Sequence, residues 1–478
     1  MRASIFNLRV PLEGDDVFLM NTLTDAQAIV SPDVAALLDA DIDPNVLDIE
    51  ARAAFDELVE NGFVTPGRDH DRDALDRYLD QVSSDASELN VTVLTTLQCN
   101  FACDYCFQGD HGDYNKFAEK MTLETAGRVA SWIERELDRV RPERFVLTFF
   151  GGEPLLNLPV MYYLAERLWR ASTSRGVKPV TSIITNGLLL TEEVVDRLLP
   201  FGLRSVKITL DGDREAHNKM RPLRGGQGTF DRIIENMRRI AGRCQISIGG
   251  NFDDSTFGSY TALLGFLKEE FEGKLSKVNF KPTVRSAEDA GVHVPKATLS
   301  GRGISLTPVR TDGSPVEALG GTCMTSVGGS TASTCDGCHS LDDQMTFLRD
   351  EIRRHGFNTP DGVHNGPCHV HIQHAHTIGP DGSLYACPGF TGEKHMSTGH
   401  IDDRRDPVRE RAKEKFDRLS PWKACGDCAF IPVCAGGCIA ASHMTLGDMN
   451  TPACHKRSYE SAVISLAQQF AGAFQERA

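Results

Sequence analysis

No apolar run in this chain approaches the roughly 20 residues that a membrane-spanning helix needs. The opening MRASIFNLRV also lacks the apolar stretch of a secretory signal. A membrane partner is therefore not expected, and a cytoplasmic location is. Positive charge is in short supply: 51 Lys and Arg stand against 66 Asp and Glu, a formal net charge of −15. That balance argues against a broad nucleic-acid surface. Hydrophobic content of 40% and charged content of 24% are those of an ordinary globular protein. At 478 residues the chain exceeds one typical core, so two or three domains are expected. Cysteine is not scarce. Fourteen of them without a secretion signal point to metal ligation in place of disulfides.

Three of these cysteines, Cys99, Cys103 and Cys106, stand as C-x3-C-x2-C in TTLQCNFACDYCFQG. Three thiolates in one loop can hold three irons of a [4Fe–4S] cube and leave the fourth iron open. An amine and a carboxylate on one cofactor could chelate that iron. The alternative, a zinc loop, normally pairs C-x2-C knuckles with a fourth ligand close by, and none follows here. The preceding run VTVLTTL reads as a buried strand, so the loop leaves the carboxyl end of a strand, where α/β barrels carry their chemistry.

Residues 1–88 read as a small α+β unit, winged-helix-like, with apolar runs Val17–Met20 and Ala35–Leu38, an amphipathic helix Ile49–Asn61 closed by Gly62, and a short strand Phe63–Thr65. The acidic stretch Asp69–Asp85 is read as its link to the next domain. Across 89–283 strands and helices alternate. Strands are expected at 91–97, 145–150, 180–185, 204–210, 245–250 and 277–282, with helices near 122–139, 158–174, 191–200, 229–241 and 256–271. That alternation predicts an α/β fold, a parallel sheet curled into a partial (β/α)6 TIM-like barrel. Residues 284–340, rich in Gly, Ser and Thr, read as an irregular insertion. Residues 341–478 open with a helix (341–355), continue as a loop-rich, cysteine- and histidine-rich tail, and end in a helix near 457–475.

Polar motifs close the predicted strands. Gly151-Gly152-Glu153-Pro154 follows the second, where two glycines permit close backbone approach and Glu153 with the carbonyls could receive an ammonium group. Asn186 ends the third strand, Thr209 and Asp211 the fourth, and Asn251 the fifth; Arg221 lies in HNKMR just beyond the fourth. Singly, each has an ordinary reading as a turn. In order, together with the cysteine loop, residues 91–283 resemble the radical S-adenosylmethionine (SAM) superfamily. The resemblance implies that Cys99, Cys103 and Cys106 hold a [4Fe–4S] cluster and that the GGEP segment binds the methionine amine. It also implies that Arg221 pairs with the methionine carboxylate, and that Tyr105 packs near the adenine. Thr209 stands where the family usually has serine.

The tail continues with Cys368, thirteen residues, Gly382, four residues and Cys387, then Cys425-x2-Cys428-x5-Cys434-x3-Cys438 and finally Cys454. By spacing alone, Cys425, Cys428, Cys434 and Cys438 could form a zinc ribbon, which would leave Cys368, Cys387 and Cys454 without a role. The whole set resembles the seven-cysteine SPASM domain. That resemblance implies two auxiliary [4Fe–4S] clusters, the outer on Cys425, Cys428, Cys434 and Cys454 and the inner on Cys368, Cys387 and Cys438. The fourth inner ligand stays open among a substrate thiol, Cys323, Cys335, Cys338, or one of His369, His371, His374 and His376; histidine ligation has precedent in Rieske centres. Cys244 reads as structural.

The implied chemistry is reductive cleavage of SAM to a 5′-deoxyadenosyl radical and hydrogen abstraction from a substrate, in a low-oxygen setting. The implied cofactors are three [4Fe–4S] clusters and SAM, and an electron donor such as flavodoxin or ferredoxin is implied too. Two substrate readings follow. The first is oxidative maturation of a ribosomally synthesised peptide whose leader sequence the N-terminal unit recognises. The second is anaerobic sulfatase maturation to formylglycine; there Pro388 occupies the place after Cys387 where those enzymes usually have aspartate. A non-catalytic iron–sulfur scaffold would not need the GGEP segment.

Overall fold

The segment expected to be a linker is a helix. All of Asp69–Asp85 but its last residue, the C-cap, falls within helix Arg68–Ser84, because Leu75 and Leu79, four residues apart, bury against Phe6. In the computed structural model, which describes residues 1–106, 108, 118–284, 292–293, 309–310, 336–360, 362–363, 366–403 and 405–475, a short pairing of Arg2–Ala3 with Val64–Thr65 closes the N-terminal unit around a three-stranded antiparallel sheet. Its strands are β1 (Asn7–Pro11), β2 (Val17–Asn21) and β3 (Gln27–Val30). Helix α1 (Ile49–Glu60) is capped by Asp48, which accepts from the Ala51 N–H, and α2 is the Arg68–Ser84 helix.

The barrel follows as β4 (Glu88–Leu94), β5 (Arg144–Phe150), β6 (Lys178–Thr185), β7 (Leu203–Thr209), β8 (Gln245–Phe252) and β9 (Leu275–Pro282), all parallel. Between them run α3 (Leu123–Val140), α4 (Leu158–Thr173), α5 (Glu192–Leu198), α6 (Arg214–Met220), α7 (Phe230–Ile240) and α8 (Tyr260–Phe271). Thr122, Thr191 and Asp213 cap α3, α5 and α6 through their side-chain oxygens. Helix α6 was not anticipated: of its seven residues only His217 and Met220 are buried, so no apolar stripe marks it. Alternate strand residues such as Val91, Val93, Val206 and Ile208 meet the helices in one continuous core.

The barrel sheet does not end at β4. Strand β10 (Ala375–Ile378) pairs parallel with it, and β11 (Ser383–Tyr385) and β12 (Gly399–His400) continue antiparallel. Nine strands thus run from barrel into tail. Helix α9 (Asp336–Arg354) begins earlier than the expected 341 and packs on β9 and on the final helix α10 (Lys456–Gln475). Most of the predicted insertion 284–340, with Cys323 and Cys335, lies outside the described residues; Cys338 falls in α9. No helix among the described residues is long and apolar enough to cross a membrane.

The N-terminal unit packs on the tail. Phe18 and Met20 bury with Phe430, Val433, Ala462 and Val463, and Phe6, Leu75 and Leu79 with Ile431 and Ala435. Arg68 and Arg72 both pair with Asp427, at 3.2 and 3.0 Å, and the Thr22 hydroxyl donates to the Ala429 carbonyl.

Candidate active site

The cysteine loop leaves β4 and is gripped by the turn after β5. The Gly152 N–H donates to the Thr96 carbonyl at 3.0 Å and the Glu153 N–H to the Gln98 carbonyl at 2.8 Å. A Cβ on Gly151 would lie 2.2 Å from the Thr96 carbonyl oxygen, and one on Gly152 2.3 Å from that of Gln98. The close approach that these glycines permit is therefore to the cysteine loop itself. Arg224, which sequence reasoning passed over, holds the loop from the other side: its Nε donates to the Cys99 carbonyl at 2.9 Å. No motif flags it; only the fold brings it beside Cys99.

Glu153 is fully buried. Oε1 accepts from the Thr185 hydroxyl (2.7 Å) and the Leu155 N–H (3.0 Å), and Oε2 from the Asn186 N–H (2.8 Å). A carboxylate has about four acceptor positions, so Oε2 retains one for an ammonium group. Burial raises its pKa, against these donors. Pro154 opens the short turn that follows. The Asn186 amide donates to Asn100 in the cysteine loop at 2.8 Å, which ties the third strand exit to the first.

Across the mouth, Tyr105 donates to Asp211 and accepts from Arg221 Nη1 at 2.5 Å and Asn251 Nδ2 at 3.3 Å. Asp211 also accepts from the Asn251 N–H at 2.7 Å. Burial opposes the Arg221 charge, but Tyr105, Cys103 and Asp211 hold its pKa well above the usual range. Its buried Nε has no hydrogen-bond partner among the described residues, which leaves a donor able to serve an acceptor such as a carboxylate. His217 sets the geometry beneath: Nδ1 accepts from the Asp211 N–H (3.2 Å), while Nε2 meets the Thr229 hydroxyl (3.1 Å), which donates to the Arg221 carbonyl (2.9 Å). Burial holds this imidazole neutral. Thr209 closes β7, at the register of Gly249.

Burial pushes the Cys99 thiol up to about 12, with Glu153, Cys103 and Cys106 adding repulsion, and Cys103 up to about 11. Thiols so placed stay protonated unless a bound metal displaces the proton. In the tail, Cys425, raised by burial to about 12, is repelled by Cys428, Cys434 and Cys454. Cys387, also at about 12, is repelled by Cys368 and Cys438. The seven cysteines thus gather as two sets of four and three. Backbone N–H groups point at Cys99, Cys387 and Cys438. No three His, Cys, Asp or Glu side chains among the described residues converge on a single-ion site. His374 and His376 turn to Glu136 and Arg139 of α3, and His371 packs on Trp422.

Residues 93–272 match the Radical SAM superfamily. GTP 3',8-cyclase of Synechococcus sp. (strain CC9605) is 32% identical over 165 residues, 34% of this chain and 44% of that protein. The chain therefore spans less than half the length of that relative. Mycofactocin maturase MftC of Mycobacterium tuberculosis (strain ATCC 25618 / H37Rv) is 23% identical over 378 residues, 73% of this chain and 78% of the relative. The solved structure of anSMEcpe with bound AdoMet and Cp18Cys peptide superposes with a TM-score of 0.54 at 17% identity, covering 80% of this chain and 99% of that one. At that identity it speaks for the fold alone. The barrel whose strand ends carry Cys99, Gly151, Asn186, Asp211 and Asn251 is a radical SAM domain.

Proposed function

We propose that this chain is a radical SAM oxidoreductase that modifies a ribosomally synthesised peptide, forming a crosslink, thioether or similar bond. The observation that carries it is strand β10. It lies between Cys368 and Cys387 and hydrogen-bonds along β4, the strand that leads to Cys99, so the inner cysteine set stands beside the first barrel strand, where a second redox site would serve the barrel. MftC, named as a maturase, is similar over 73% of this chain, well beyond the length of the barrel. Cys99, Cys103 and Cys106 would hold the first cluster, Cys425, Cys428, Cys434 and Cys454 the outer auxiliary one, and Cys368, Cys387 and Cys438 the inner. Arg221 Nε would take the carboxylate of SAM and Glu153 its ammonium group, while Tyr105 and Asn251 fix the mouth. When bound, these groups supply a 5′-deoxyadenosyl radical for hydrogen abstraction and redox centres for the electron left behind. Residues 1–88 would recognise the leader, and a flavodoxin or ferredoxin would supply electrons.

A sulfatase-maturase reading has less support, since Pro388 opens the turn after Cys387 and brings no carboxylate there. The test is anaerobic turnover with SAM and dithionite on short peptides encoded beside the gene and on a sulfatase-derived peptide. Loss of hydrogen from a neighbouring peptide, seen by mass spectrometry, is the expected result. Formylglycine in the sulfatase peptide, with every neighbouring peptide unchanged, would overturn it.

A further inference from the structure

The barrel lumen carries an unbalanced positive charge. Val206 and Ile208 are fully buried on the helix side of β7, so Lys207 between them faces the concave side. Val278 and Phe280 bury in the same way on β9, which turns Lys277 and Lys281 to that side too. The six strands contain one carboxylate, Glu88, at the far end and paired with Arg144. Among the described residues no ion pair or hydrogen bond engages the three ammonium groups. In a chain of net charge −15 this is a local inversion of sign.

Register and contacts set their height. The Lys207 side chain runs over Gly249, where a Cβ would meet its Cε at 2.6 Å and its Nζ at 3.4 Å. Gly249 pairs with Thr209, and Lys281 pairs with Asn251, so both lysines reach the level of the SAM-site mouth. Lys281 also stands near enough to Cys368 to favour its thiolate, and Lys207 near enough to Lys277 and Lys281 to feel their repulsion. Burial, reinforced by those two charges, pushes Lys207 down to about 8. The chain thus holds like charges together, Lys207 largely out of water beside the exposed Lys277 and Lys281. Such an arrangement costs stability until a counter-charge arrives.

We propose that Lys207 and Lys281 form a carboxylate-binding subsite for the substrate, the peptide of the function proposed above, seating either its terminal carboxylate or an Asp or Glu side chain. The anchored carboxylate holds the neighbouring carbon beneath the SAM site and within reach of the inner cysteine set.

The test uses the reconstituted holoenzyme with SAM and anaerobic calorimetry on four probes. These are acetyl-pentaglycine as free acid, acetyl-Gly-Gly-Glu-Gly-Gly-amide, acetyl-pentaglycine-amide and succinate. At least one peptide acid should bind where the neutral amide does not, and which acid binds identifies the source of the carboxylate. Lys207→Met and Lys281→Met should each weaken that acid by roughly tenfold, with iron content unchanged. Lys281→Arg, at an exposed position that admits a larger head, should keep wild-type affinity. Equal affinity for the acids and the amide overturns the subsite, as does unchanged affinity in both Met variants, the result expected if the lysines merely balance cluster charge. Loss in Lys281→Arg as well would assign the effect to shape and overturn it too. Succinate binding as tightly as the better peptide acid, and lost in the same variants, supports the subsite while counting against a peptide occupant. The two readings can therefore fail separately.

Discussion

The barrel and the cysteine-rich tail hold their shape by different means. In the barrel one core takes in residues from Leu89 to Phe280, under six parallel strands whose register shifts only beside Thr181 and Ile246. Among the described residues the tail lends Ile378 and Ile401 to the barrel core, its own clusters are small, such as Tyr385, Phe390, Met396, Phe416, Leu419, Ile439 and Met449, and many of its elements are single turns. Cores of that size do not order a chain unaided, and metal crosslinks are the usual supplement. Cysteines in the barrel loop therefore sit on a scaffold that stands without them, whereas the tail cysteines are part of their own scaffold.

Replacing Cys99, Cys103 and Cys106 together with Ala should abolish 5′-deoxyadenosine formation, leave about eight of about twelve irons bound, and leave the melting of the barrel unchanged. Replacing Cys425 and Cys454 should release about four irons and raise hydrogen exchange through residues 405–455, with β4–β9 still protected. The comparison breaks if the barrel loses protection along with the tail.

Gly152→Ala probes the barrel loop without touching a ligand. The new Cβ would meet the Gln98 carbonyl oxygen at 2.3 Å and that of Leu97 at 2.6 Å, so the segment entering Cys99 has to move. Activity should fall by about two orders of magnitude, the cost of misplacing reacting groups by an ångström, while the iron bound by the tail cysteines stays unchanged. Wild-type rates of SAM cleavage would show that the glycine pair is not what seats the loop.

Much of the barrel was legible because each strand alternates against its helices, as in Leu89, Val91 and Val93, and because each chemical motif falls at a strand end. What was not legible depended on distant partners. The four residues Ala375–Ile378 carry no period that announces pairing with β4, 285 residues earlier at Asn90 and Ala375. Helix α2 was hidden by its acidic surface, since only Leu75, Tyr78 and Leu79 mark its apolar side. The division of the tail cysteines came from resemblance: by spacing, Cys438 belongs with Cys434, yet in space it stands with Cys368 and Cys387.

The N-terminal unit sharpens the comparison, because it supplies apolar surface that the tail lacks. Phe18→Ala removes a fully buried ring packed on Phe470 at 5.5 Å and against Phe430 and Val433. It should cost about 3–5 kcal/mol, read as faster exchange in α10 and around Cys428, with the barrel unaffected. Deletion of residues 1–88 should accordingly lower iron content as well as peptide turnover. A truncated protein that keeps all its iron would show that the tail is self-supporting.

The smallest effect lies where the two regions join. The His376 ring, on β10, packs edge-on to Trp132 of α3 at 5.1 Å and lies 3.9 Å from Glu136. Burial pushes its pKa down to about 4, with Glu136 pulling it up and Arg139 and His374 pressing it lower. The native ring is therefore neutral where the unfolded one, near pH 6.5, takes a proton. Its contribution is complete above about pH 6.5 and is lost progressively as pH falls toward about 4, at no more than about 1.4 kcal/mol per pH unit. The ring keeps a fifth of its exposure, so about 1 kcal/mol at pH 5.5 is expected after screening. His376→Phe keeps the contact with Trp132 and cannot be protonated. Exchange of the β4 and β10 amides, corrected for intrinsic rates, should show wild type and variant differing by a constant above pH 7. Below it the variant should gain on wild type as pH drops. Parallel curves from pH 5.5 to 8 would mean that the junction does not sense this proton, and that the strand pairing, the buried Ile378 and Ile401 and the Arg128–Asp402 pair hold the seam between barrel and tail without it.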